Sequence, residues 1–391
     1  MKIGINALFF KYPASGTGQY MSHLIGALSE IDTRNEYVLL GPEPVTQDNA
    51  ATAFPYKVQP VPGIALNNKN IEKVFWEQLT GPAAALKAGV DIFHVPYFAP
   101  PLLPRTTTVV TIHDVIPMRL PAYQPDGKVK AYMNLVSRAS HNATLIITVS
   151  QHAKQDIVDA LRIPAERIRV IYEAAGEEYQ PVSDPERLAR ARARYGVGER
   201  YIFYLGGLDQ RKNVPQLVRA FAHLHRQIGD PHLQLLIAGN PDKHKGPLFP
   251  DPRPVAAELG MDGQIIYRYI EEEDKPALYS GASIFVFPSL YEGFGLDPLE
   301  AMSCGAPVVC SNRTSLPEVV GDAAISVDPE DTRALVEAMR KVLSDSELQA
   351  ALRTRSLERA RQFSWQKTAT ETTAVYEEAF AHSKVRSRRK R

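Results

Sequence analysis

The chain has 391 residues, of which 44% are hydrophobic and 23% charged, and its 45 Lys and Arg against 44 Asp and Glu leave a formal net charge of +1. That is a globular composition with room for two domains of ordinary size, which excludes a disordered or fibrous protein, and the even charge balance excludes a dedicated nucleic-acid binder. Two cysteines, Cys304 and Cys310, with no surrounding His/Cys cluster, provide neither a disulfide framework nor a zinc site, and both read as small buried apolar residues.

Taken in chain order, short apolar runs at Lys2–Phe9, Tyr37–Leu40, Asp91–His94, Val109–His113, Leu145–Val149 and Arg169–Ile171 alternate with amphipathic stretches. Each has the length and unbroken hydrophobicity of a parallel strand covered on both faces. After the first run, "YPASGTGQYMSHLIGAL" sets Gly16 and Gly18 ahead of a helix with Tyr20, Leu24 and Leu28 on one face. As a dinucleotide fingerprint it fails, because no G-x-G-x-x-G follows the strand; it is a glycine loop that either touches a sugar or simply turns. Farther on, "TIHDVIP" puts His113 and Asp114 at a strand's carboxyl end, where open α/β sheets bind ligands. A lone histidine there also has a purely structural reading.

The polar segment "EAAGEEYQPVSDPERLARARARYGVGER" contains no strand and suits a domain connection, with a boundary between Gly176 and Gly198. The series then restarts with Tyr201–Leu205, Leu233–Ala238, Gln264–Tyr267, Ser283–Phe287, Pro307–Cys310 and Ala323–Ser326. Two doubly wound parallel sheets are therefore expected, an α/β chain with one domain over 1–180 and a second over 198–365. A C-terminal helix and basic tail over 366–391 are expected to lean back on the first domain.

Two stretches of the second half carry anion chemistry. In "YLGGLDQRKNVPQLVRAF" a strand ends at Gly206 and Gly207, and Asn213 is placed to cap a helix beginning at Val214. Arg211 and Lys212 then stand just ahead of a helix N-terminus, where the dipole disfavours each cation by roughly 0.3–1 kcal/mol. A pyrophosphate between them would remove the conflict; the alternative is a pair of solvated surface bases. In "SLYEGFGLDPLEAMSCG", Asp297 is placed as an N-cap, Pro298 at the first helical position and Glu300 at the third, with Gly305 available to end the helix.

Gly293 and Gly295 let the backbone of that loop approach an anion held at the helix N-terminus. Carboxylates beside a phosphate site do not hold phosphate, so Glu292 and Glu300 are expected to accept hydrogen bonds from sugar and ribose hydroxyls. The competing reading is a capping box, Asp297-x-x-Glu300, in which Glu300 satisfies only an orphan N–H.

No P-loop, nucleophile elbow, H-E-x-x-H or Asp-x-Asp pair occurs, so no metal is indicated. No apolar run reaches about 18 residues, and the early "IGINALFF" is too short and wrongly flanked for a secretory signal. The expected location is cytoplasmic. The ending "KVRSRRKR" carries six bases and no acid, each worth about 1 kcal/mol beside an anionic leaflet, which allows peripheral contact with the inner face of a membrane. A solvated tail is the bland alternative.

Taken together, Gly206–Asn213, the E-x7-E segment "EGFGLDPLE", "AMSCGAPVV" and "LPEVVGDAA" resemble the retaining GT-B glycosyltransferases of family GT4. The resemblance implies two Rossmann-like domains with a cleft between them. It also implies that Arg211 and Lys212 hold a donor diphosphate, that Glu300 binds ribose hydroxyls, and that Glu292 contacts the transferred sugar. Backbone amides of Gly293, Phe294, Gly295 and Leu296 would lie nearby, His113 beside the donor sugar, and Gly16 to Gly18 along the cleft. "FWEQ" at Phe75–Gln78 and "SGTGQY" look like the mannosyl branch, which implies GDP-mannose as donor, with UDP-glucose or another nucleotide sugar as the alternative.

The implied reaction is hexose transfer, with retention and without a permanent cofactor, to a glycan or lipid-linked saccharide of surface polysaccharide biosynthesis. Where many relatives carry an Asn-Gly-x-Asp turn, this chain has "YEAAGEEY". The rival readings are a glycoside hydrolase using the two glutamates, a nucleotide-sugar-binding protein without turnover, and a dehydrogenase, the last weakened by the missing glycine fingerprint.

Overall fold

The computed structural model describes residues 1–12, 15–42, 57–61, 67–242 and 246–388. Of the basic tail, Arg389, Lys390 and Arg391 lie outside the described residues, and from Val385 onward only the backbone is described. The chain divides into two compact units: Met1–Glu173 together with Ser364–Arg391, and Ala174–Phe363.

The first unit holds a seven-stranded sheet built from β1 (Lys2–Asn6), β2 (Glu36–Gly41), β3 (Lys57–Pro60), β4 (Ile92–Val95), β5 (Thr107–Thr111), β6 (Leu145–Thr148) and β7 (Ile168–Val170). The strands run in the order β3-β2-β1-β4-β5-β6-β7, and every pairing is parallel, with Ile3 beside both Tyr37 and Ile92. The second unit holds a six-stranded parallel sheet from β8 (Tyr201–Leu205), β9 (Gln234–Ala238), β10 (Ile265–Arg268), β11 (Ile284–Phe287), β12 (Val308–Ser311) and β13 (Ala324–Val327), in the order β10-β9-β8-β11-β12-β13.

In both sheets the order reverses beside the first strand, between β1 and β4 and between β8 and β11. Those are the switch points at which α/β sheets open a crevice at their carboxyl edge. The central strands are largely apolar and buried, as in sheets covered on both faces: Tyr201, Ile202, Phe203 and Tyr204 are all completely buried. Twelve apolar runs read from the sequence fall on strands; β3 is the addition, an edge strand of sequence "KVQP" with no apolar run to betray it.

The unit boundary falls at Glu173/Ala174, ahead of the Gly176–Gly198 zone read from composition. Residues that looked like linker are held in the second unit: the N–H of Val182 donates to Ser280 Oγ at 3.0 Å, and the Tyr179 hydroxyl reaches Glu272 at 3.4 Å. The long last helix, Trp365–Arg388, belongs to the first unit. Its Tyr376 hydroxyl lies 2.7 Å from Nδ1 of the fully buried His94, whose Nε2 lies 2.9 Å from Thr111 Oγ1. Burial, helped by the charge of His113, pushes His94 down to about 3, so the ring is neutral. Among the described residues no helix is long and apolar enough to cross a membrane.

Candidate functional site

In the second unit, the segments that follow β8 and β11 meet at the carboxyl edge of the sheet. After β8, Gly206 turns the chain with φ +152, where a Cβ would come within 2.9 Å of the Tyr204 hydroxyl. A short 3-10 turn, Gln210–Lys212, then sets both bases. The Arg211 carbonyl accepts from the N–H of Leu290 at 2.7 Å and from Ser289 Oγ at 3.1 Å, fastening this turn to the loop after β11.

The cations meet a carboxylate between them. Glu292 Oε2 lies 2.7 Å from Arg211 Nη1, and Oε1 lies 2.9 Å from Lys212 Nζ and accepts from Ser289 Oγ at 2.6 Å. Arg211 Nε also reaches Asp209 at 3.1 Å, and Lys212 Nζ reaches Asp297 at 3.2 Å while lying 4.4 Å above the Phe287 ring. Lys212 and Glu292 are buried. Burial alone would raise the Glu292 carboxyl, but the charges of Lys212 and Arg211 outweigh it and hold the group below the usual range. The anion that the sequence argument placed between the two bases is thus supplied, in this structure, by the protein itself.

The helix after the glycine loop spans Leu296–Ser303 and starts two residues earlier than the sequence suggests. Its N-cap is Gly295, with φ +126 and no side-chain cap; Asp297 is inside the first turn and turns its carboxylate to Lys212. The capping box is therefore absent. Glu300 instead accepts from the Tyr279 hydroxyl at 3.2 Å. Burial, reinforced by the neighbouring Asp297, raises the Glu300 carboxyl well above its ordinary value, and burial raises Asp297 despite Lys212. Cys304 and Gly305, at φ +72, end the helix. The loop is pinned from below, Ser315 Oγ donating to the carbonyls of Glu292 and Phe294 at 2.9 and 2.5 Å. Asn213 does precede the helix Val214–Ile228, but at φ +58 its amide is turned away, donating to the Pro329 carbonyl at 2.8 Å.

Next to this cluster a hollow of ≈ 230 Å³ opens at the ends of β8, β9 and β10, lined by Gly206, Gly239, Phe249, Tyr269, Glu272 and Lys275 among others. Tyr269 is 64% exposed there. Sequence reading missed this wall; the one signal was an aromatic residue immediately past a strand's carboxyl end.

In the first unit, Gly16 and Gly18 are not a loop before a helix but the first turn of the helix Gly16–Ile31, capped by Ser15, whose Oγ accepts from the N–H of Gly18 at 3.1 Å. His113 Nδ1 lies 2.9 Å from Glu173 Oε1, Nε2 lies 3.3 Å from the Pro96 carbonyl, and the Tyr20 ring meets the imidazole edge-on at 4.6 Å. Burial opposes protonation of His113, yet the hydrogen bond and charge of Glu173, with Asp114 and Pro96, outweigh it and raise the imidazole. Glu173 escaped the sequence reading because its partner is 60 residues away. Among the described residues no group of His, Cys, Asp and Glu is gathered to hold a metal.

Residues 14–175 match the family described as Glycosyltransferase Family 4, and residues 187–359 match Glycosyl transferases group 1. Among curated proteins, the chain is 36% identical over 288 residues to O-antigen chain mannosyltransferase B of Escherichia coli, covering 73% of this chain and 74% of that one. It is 32% identical over 268 residues to the serotype-specific mannosyltransferase WbdA of Escherichia coli, and there spans only 32% of the relative's length. Among solved structures, sucrose-phosphate synthase from Thermosynechococcus elongatus superposes with a TM-score of 0.74 at 20% identity, covering 98% of this chain and all of that one, a likeness of fold.

Proposed function

Because the chain belongs to the group 1 glycosyltransferases, with a family 4 domain ahead of the group 1 segment and a GT-B fold, we propose that it transfers mannose from GDP-mannose, with retention, to a hydroxyl of a glycan or lipid-linked saccharide. The observation that carries this reading is the pair of Arg211, half-buried, and Lys212, buried, at the sheet's carboxyl edge, held by Glu292 beside a helix N-terminus without a side-chain cap. The donor's diphosphate takes over those two cations, and the first-turn amides of Leu296–Ser303 face the charge that grows as the glycosidic bond breaks. The mannosyltransferase relatives support the choice of sugar.

In this reading the nucleoside enters the hollow beside Tyr269, and Glu300 takes the ribose diol. Glu300 suits that role better as a protonated carboxyl, able both to donate and to accept. Glu292, released from Arg211 by the phosphates, accepts from a hydroxyl of the transferred sugar. No side chain is assigned as a nucleophile; the departing phosphate oxygen takes the acceptor's proton. In the first unit His113, charged by Glu173, is the side chain proposed to take part in transfer, and no permanent cofactor or metal takes part.

Transfer is tested by incubating the protein with GDP-mannose, with UDP-glucose in parallel, and a panel of saccharide acceptors. Product that forms only with acceptor and only from GDP-mannose supports the reading. A second reading has one observation in its favour: a lowered Glu292 and a raised Glu300 are the paired base and acid of a glycoside hydrolase. Free sugar released at the same rate with and without acceptor would decide for it.

A further inference from the structure

We propose that Thr314 is a positioning residue for Glu292, held in a strained turn so that its hydroxyl can fix the backbone from which that carboxylate projects. Among the described residues three that are not glycine have positive φ: Arg162, Asn213 and Thr314, at +56, +58 and +56. The first ends the helix Gln151–Leu161, where a left-handed residue is ordinary. Asparagine tolerates that region through its short polar side chain. Neither reason covers a threonine, whose branched Cβ makes the conformation an outlier. Such strain persists only where the surrounding structure imposes it, and it gathers at functional sites.

The local chain shows what is imposed. Thr314 follows β12 and stands second in a turn closed by the N–H of Leu316 on the Arg313 carbonyl at 3.3 Å, with Ser315 next at φ −80. A positive φ at the second position alone is the pattern of a type II′ turn, which glycine dominates. Glycine would make the turn without steric cost, so the threonine side chain must supply something that glycine lacks. It does: the half-buried Thr314 accepts at Oγ1 from the N–H of Glu292 at 3.0 Å.

Ser315 completes the grip. Its Oγ donates to the carbonyls of Glu292 and Phe294, and Leu316 Cδ2 lies 2.8 Å from where a Cβ on Gly295 would stand. Three consecutive residues thus carry the glycine loop, and two of them take the N–H and the carbonyl of the same glutamate. From that fixed backbone the Glu292 carboxylate reaches Arg211 at 2.7 Å and Lys212 at 2.9 Å. Arg313, the cation beside Thr314 in sequence, is paired with Asp328 and Glu330, so a hydroxyl and not a charge is what this turn brings to the loop. Loosening Glu292 has two opposite consequences. An anion meets less competition for Arg211 and Lys212, and the carboxylate is misplaced for the sugar in the transfer proposed above, on which the kinetic half of this inference rests.

The test compares Thr314→Val, which keeps the shape and loses the hydroxyl, Thr314→Gly, which loses hydroxyl and strain together, and Thr314→Ser, which keeps the hydroxyl. Calorimetry with inorganic pyrophosphate is expected to show about threefold tighter binding by the valine and glycine variants, and no such effect on a Glu292→Ala background. With GDP-mannose and a saccharide acceptor, kcat falls about tenfold in the same two variants, while the serine variant keeps parent values in both assays. The glycine variant melts about 2 °C or more above the valine variant, because only it releases the strain.

Loss of pyrophosphate affinity in step with kcat would mark a merely structural residue and overturn the proposal. So would parent values for the valine or glycine variant in either assay, an effect that persists on the Glu292→Ala background, a serine variant as poor as the valine one, or a valine variant melting at or above the glycine one. A chain that shows the pyrophosphate pattern but transfers nothing overturns the proposed function and leaves the positioning role standing. One that transfers at the parent rate in all three variants overturns the positioning role alone.

Discussion

Lys212 Nζ lies 2.9 Å from Glu292 Oε1 and 3.2 Å from Asp297 Oδ2, so one buried ammonium ties the loop after β11 to the first turn of the following helix. The lysine is therefore positioned before any ligand arrives. Replacing it by alanine is expected to lower transfer at saturating donor by about 10²-fold, the scale of losing one preorganised group facing developing charge. Steady-state kcat measured across donor concentrations checks this; near-parent kcat would remove Lys212 from the assigned role.

Glu292 lies between the half-buried Arg211 and the buried Lys212, and Glu292→Ala removes the carboxylate they share, leaving Arg211 its Asp209 contact and Lys212 its Asp297 contact. The expected cost is on the order of 3 kcal/mol, seen as a lower Tm. Because pyrophosphate would occupy the vacated position, it should raise the variant's Tm more than the parent's. The lowered carboxyl also has a pH signature: its contribution is present above the ordinary Glu value of about 4.3 and is lost as pH falls through the depressed folded value. The parent should thus lose more stability than the variant on acidification.

The His113–Glu173 pair has the opposite sign. With the imidazole raised in the fold, the pair's stabilisation is complete below the ordinary histidine value of about 6.5 and disappears as pH rises through the raised one. Glu173→Gln should flatten the parent-minus-variant Tm difference above that window while leaving a plain difference below it. A difference independent of pH would mean that His113 is neutral throughout.

Gly295 combines φ +126 with a Cβ position 2.8 Å from Leu316 Cδ2. Gly295→Ala is expected to cost about 1–3 kcal/mol through backbone strain, and it displaces the helix N-terminus that begins at the next residue. Urea unfolding gives the first effect and the donor KM the second; an unchanged Cm would show that the loop relaxes freely.

The strands were legible because a parallel strand covered on both faces must be apolar throughout, and "YIFYL" of β8 coincides with its sequence run. The edge strand "KVQP" had no such signature. Arg211, Lys212, Glu292 and Glu300 were also legible as chemistry, since glycine turns and helix starts bracket them. Their pairings were not: Glu292 accepts two cations from a segment some 80 residues away, and a turn cannot announce a partner brought by tertiary folding. The same holds for Asp297, whose capping chemistry lost to the buried Lys212, and for His94, whose partner Tyr376 is 282 residues distant.

That the helix Trp365–Arg388 belongs to the same unit as β1 to β7 makes the second unit an insert in the first along the covalent chain. Residues 174–363 can be cut out as one continuous fragment, whereas the first unit has no such fragment. Stopping translation at Phe363 would leave the second unit whole and strip the first of the helix that caps His94 and supplies Thr368 to the Tyr172 carbonyl.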